Sequence, residues 1–109
     1  MSYEEYENKM ISSAEKYFED NNKVPTEEGE LSTVKLSTLV NSGYLKSSEK
    51  LVGDGSCDGT VSVRRNGALV ESNKGGFLNY TVDLNCKEYK TVHLLDKLNE
   101  NIVTEESGL

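Results

Sequence analysis

The sequence predicts an α+β domain in which an N-terminal amphipathic helix packs across a small antiparallel β-sheet braced by one disulfide. Three observations predict it. Apolar residues from Tyr3 to Phe18 recur in steps of three and four, the helical period. Two later stretches alternate apolar and polar residues, as a strand with one buried face does. The chain has 2 cysteines, Cys57 and Cys86, and both fall on the apolar parity of those stretches.

In the helical stretch, Tyr3, Tyr6, Met10, Ala14, Tyr17 and Phe18 form one stripe with Ile11 on its flank, while Glu4, Glu5, Asn8 and Glu15 turn to water. Ser2 followed by Glu5 sets up a capping box, and the carboxylate also suits the positive end of the helix dipole. The helix is expected over Tyr3 to Glu19. Asn21 and Asn22, which tolerate left-handed backbone, and Pro25, which keeps Val24 out of the helical region, end it. Glu27, Glu28 and Glu30 then read as a solvated acidic loop. In "LSTVKLSTLVNSGYL", Ser37 is read as the N-cap of a short helix reaching Asn41. Gly43 sits where a helix ends in left-handed backbone, and Tyr44 and Leu45 return to the core.

The strand period begins after "GDGSCDG". Val61 and Val63 alternate with Thr60, Ser62 and Arg64; Leu78, Tyr80, Val82, Leu84 and Cys86 alternate with Asn79, Thr81, Asp83 and Asn85. An antiparallel register that sets Val61 opposite Val82 also sets Val63 opposite Tyr80 and Cys57 opposite Cys86. A non-hydrogen-bonded pair brings side chains there to disulfide distance. A hairpin turn at Asn66-Gly67 within a simple meander would send the cysteines to opposite ends of the sheet. The reversal is therefore placed near Val70 to Gly76, with Asn66-Gly67 as a bulge or kink. The competing reading is two buried free thiols. A disulfide closing this loop stabilises by about 3 to 4 kcal/mol and places the protein outside the reducing cytosol. Beyond it, Val92, Leu95, Leu98 and Ile102 suit a short docking helix. One domain over 1–103 is expected, with 104–109 an acidic linker or frayed end.

Twelve basic and 19 acidic side chains leave a net charge of -7, which repels nucleic acid and anionic lipid. No window approaches the roughly 18 apolar residues of a membrane span, and the acidic start is not a signal peptide. Any membrane attachment is expected to run through a segment that this chain does not contain.

Chemistry-bearing residues are few. Asp54, Ser56, Asp58 and Gly59 copy the opening of a calcium loop, but Arg65 stands where that loop supplies its bidentate glutamate; a polar turn entering a strand is the plainer reading. Two cysteines and one distant histidine lack the paired spacing of a zinc site. His93 has no nucleophile motif near it, the acidic loop suggests no pocket, and Lys74-Gly75-Gly76 is too short for a phosphate loop. No catalytic constellation emerges, so an enzyme is not expected.

The order of "AEKYFEDNN", "VKLSTLVNSGYLKSS", "CDGTVSV" and "YTVDLNCKEY" resembles the secreted globular part of prepilin-type (type IV pilin or pseudopilin-like) proteins of Gram-positive bacteria. The resemblance spans about Ala14 to Tyr89 and rests chiefly on L-x-x-L-V-x-S-G-Y-L and C-x-G-x-V. It implies a long helix on a small antiparallel sheet with cysteines bracing the strands. It further implies an extracellular, cell-surface, non-enzymatic module of structural or adhesive kind. Its partners would be proteins, either other pilin subunits or further domains of the same surface protein. The family's processing site and apolar half-helix are not in this chain, so filament assembly is implied only where such a segment precedes Ser2. The alternative in another class is a calcium-dependent ligand-binding surface domain using Asp54, Ser56 and Asp58.

Overall fold

The stripe that begins at Tyr3 becomes helix α1 (Tyr3–Asp20) in the computed structural model, which describes residues 1–66 and 77–93. Ser2 caps it: its hydroxyl accepts from the Glu5 amide at 3.1 Å, and the Glu5 carboxylate accepts from the Ser2 amide at 3.1 Å. This is the expected capping box. Tyr6, Met10, Ala14 and Phe18, four residues apart, are fully buried, and each large member contributes about 1.5 to 3 kcal/mol of burial. The helix ends as the asparagines require, with Asn22 at φ 55° and the Lys23 amide closing on the Phe18 carbonyl at 2.8 Å.

The sheet has three strands, β1 (Leu31–Lys35), β2 (Asp58–Asn66) and β3 (Phe77–Asn85), in the order β1-β2-β3 and antiparallel throughout. The expected register holds, with Val61 paired to Val82 and Val63 to Tyr80. Arg65 donates its amide to Glu30 and accepts from Gly29, so the odd-numbered residues of β2 turn their backbone groups toward β1. Toward β3 they are consequently non-hydrogen-bonded, the close pairing the disulfide needs. One face of the sheet, with Val34, Val61, Val63 and Leu84, is buried with α1 and Leu36 and Leu39 of α2 (Leu36–Asn41). The opposite face, including Thr33, Ser62 and Thr81, is exposed or half-buried.

Several expectations are corrected. The stretch from Leu31 to Lys35, read as the lead into a short helix, is an edge strand, making the sheet three-stranded rather than a hairpin. Ser37 is not the N-cap. Lys35 holds that position in extended backbone, because the chain leaves β1 directly into the helix and buries Leu36. Gly43 does adopt left-handed backbone, at φ 83°. A single helical turn, α3 (Ser48–Leu51), was not anticipated. Asn66, half of the expected bulge or kink, pairs with Phe77 in regular register, and Gly67 lies outside the described residues. The reversal expected at 70–76 lies outside the described residues. Val92, expected to open a docking helix, is non-helical and 59% exposed; the rest of that helix and the 104–109 tail lie outside the described residues. Among the described residues no helix is long and apolar enough to cross a membrane.

Candidate functional site

Asp54, Ser56, Cys57 and Asp58 gather where the loop after α3 enters β2, whereas Lys74-Gly75-Gly76 lies outside the described residues. Val52 ends the helical turn, Gly53 takes left-handed backbone at φ 78°, and the chain then folds back through Asp54 to Cys57. Cys57 and Cys86 form a disulfide across a loop of 29 residues of sequence separation. Both are half-buried, one step beyond the last paired residues Asp58 and Asn85.

Asp54 is the centre of a small network. Its Oδ1 accepts the Ser56 amide at 2.8 Å, a tight Asp turn, while Oδ2 accepts the Tyr3 hydroxyl at 3.0 Å and the Lys87 amide at 3.2 Å. One carboxylate thus ties the first turn of α1 to the chain on both sides of the disulfide. The Ser56 amide chiefly, with the Tyr3 hydroxyl and the Lys87 and Glu88 amides, holds the Asp54 carboxyl below the usual aspartate value. Tyr3 stacks on Tyr89 with ring centroids 4.7 Å apart, and Asp54 raises the Tyr3 pKa further once burial has raised it. One turn along α1, Glu7 is buried and accepts from the Tyr89 hydroxyl at 3.0 Å and from the Thr91 hydroxyl. Burial first, then Glu7, pushes Tyr89 up to about 12. Thr91 also satisfies the outer edge of β3, its amide donating to Leu84 O at 2.9 Å.

Beside this network lies an open groove of about 570 Å³, walled by Leu36 and Val40 of α2, Glu49 of α3, and Cys57 and Asp58 entering β2, with Lys35 at its rim. Its size falls within the range of small-ligand sites. One side of the disulfide is therefore part of a concave surface.

The residues singled out from sequence are distributed as follows. Asp54 and Ser56 share the turn, whereas Asp58 is exposed at the start of β2, paired with Asn85. Arg65, at the place of a calcium loop's closing glutamate, faces the core of the sheet at 4% exposure. Its Nε donates to Pro25 O at 2.6 Å, and its Nη1 has no hydrogen-bond partner among the described residues. The acidic loop is more ordered than expected: the Glu30 carboxylate accepts the Thr26 and Glu27 amides at 3.1 and 3.2 Å, which hold it below the usual glutamate value. His93 meets Asp83 at 2.5 Å on the open face of β3. Sequence reasoning missed the long-range partners Tyr3, Glu7 and Tyr89. The one available signal was that Tyr3 and Glu7 stand four apart on α1, one above the other on the same side of the helix. Comparisons with protein-family models, curated proteins and solved structures return no match.

Proposed function

We propose that this chain is an extracellular, non-enzymatic structural or adhesive module of pilin-like type, held at the cell surface and working through protein partners. What supports it above all is the cross-strand disulfide: Cys57 and Cys86 meet at the open end of the β2–β3 pair, and such a staple persists in an oxidising compartment. The helix laid on a small antiparallel sheet suits the same reading. A net charge of -7 disfavours nucleic acid as a partner. The test is a membrane-impermeant amine label applied to intact cells that make the protein natively. Labelling of the intact-cell pool at exposed lysines such as Lys16 and Lys87 is expected. A pool labelled only after lysis would overturn the proposal. The rival reading, a calcium-dependent surface domain built on Asp54, Ser56 and Asp58, requires thermal stability that rises on adding calcium and falls with a chelator.

A further inference from the structure

Among the described residues, one group of side chains places three metal-ligating atoms together: Asp54, Cys57 and Cys86, whose carboxylate oxygen and two sulfurs all lie within 4.8 Å of one another. We propose that the disulfide is one of two alternative cross-links, and that on reduction the same three residues bind a soft divalent cation of the zinc or cadmium kind.

The donor set fits that chemistry. Two thiolates select zinc-like ions over calcium or magnesium, and a carboxylate completes three protein ligands with a fourth position left to water. In a tetrahedral zinc site the ligand atoms stand roughly 3.5 to 3.8 Å apart, so sulfurs released from their bond need only a small separation to reach it. Asp54 is already oriented: Ser56 and Lys87 amides and the Tyr3 hydroxyl hold its carboxylate beside the sulfurs, as outer-shell donors hold metal-binding carboxylates. Both cysteines are half-buried and Cys57 lines the open groove, which gives a reductant and an ion a route in.

The steps balance. A dithiol reductant attacks the Cys57–Cys86 bond by exchange and leaves as its own disulfide, having supplied two electrons and two protons. The cation then displaces both thiol protons, and two thiolates with one carboxylate hold it at a net charge of about -1. Either cross-link joins the start of β2 to the end of β3.

The test uses the full chain and cadmium alone. Protein reduced by a dithiol, freed of it without air and titrated with Cd²⁺ should show thiolate-to-cadmium charge-transfer absorption saturating at one ion per chain. The oxidised protein should show none. Asp54→Asn should weaken binding at least about tenfold, and Tyr3→Phe, which removes an orienting donor, by about tenfold or less. If reduction unfolds the chain, cadmium should restore the far-ultraviolet dichroism of the natural sequence and not of Asp54→Asn. No charge-transfer band in the reduced protein would overturn the proposal. So would equal affinity, or equal refolding, in the natural protein and Asp54→Asn.

Discussion

Reducing the Cys57–Cys86 bond removes a constraint that acts on the unfolded chain. With a separation of 29 residues, the loop-closure estimate gives an entropy near 12 cal/mol/K and hence about 3.6 kcal/mol at 25 °C. That is a large part of the 5 to 15 kcal/mol that stabilises an ordinary small domain. The closed loop contains all of β2 and β3, so the denatured oxidised chain still holds the central strand and one edge strand near one another. In the folded state the cysteines lie in the phase that antiparallel pairing already brings close, so little native structure should change on reduction. Guanidinium unfolding of the oxidised protein and of protein kept in excess phosphine, followed by far-ultraviolet dichroism, measures the difference. The expected loss is about 3 to 4 kcal/mol, and a fall in Tm of roughly 15 to 30 °C. A loss under about 1 kcal/mol would refute the reasoning, because the denatured chain would then gain nothing from opening the loop.

Three further outcomes follow from the packing and the hydrogen bonds. Phe18→Ala empties a fully buried site between α1 and the sheet and should cost about 3 to 5 kcal/mol by denaturant unfolding. Tyr6 and Tyr89, both pushed up to about 12, should ionise well above the ordinary tyrosine range in an ultraviolet titration; since their folded pKa is raised, the stability they contribute is present below about pH 10 and lost as pH climbs toward 12. Asp54 has a lowered pKa, so its contribution is present above the ordinary aspartate range and lost as pH falls through the depressed value. Asp54→Asn should therefore lower Tm at neutral pH and lose that difference in acid.

The parts of this fold legible in the sequence are those where local pattern and burial agree. Tyr6, Met10, Ala14 and Phe18 repeat at helical spacing and are all buried, and the parity of Val61, Val63, Val82 and Leu84 gave the register and with it the cysteine pair. Strand β1 was hidden because its pattern is inverted: Leu31 faces out at 51% exposure while Ser32 faces in, its hydroxyl satisfied by Lys23 O. Arg65 shares the core parity of Val61 and Val63, yet a guanidinium reads as solvent-facing until Pro25 O appears beside it. The turn at Asp54 was readable from Asp-Gly-Ser, but its ties to Tyr3 and Lys87 span 51 and 33 residues and exist only once α1 lies against the sheet. Glu7, buried beneath Tyr89 and Thr91, escaped for the same reason.

The measurement that bears most directly on a disulfide-stapled surface module is a thiol count on protein taken, without reductant, from the cells that make it. The protein is denatured, alkylated and weighed intact. The account predicts that neither Cys57 nor Cys86 takes the label and that the mass is two hydrogens below that of the reduced chain. Two labelled thiols would contradict it, removing both the staple and the oxidising compartment that the staple implies.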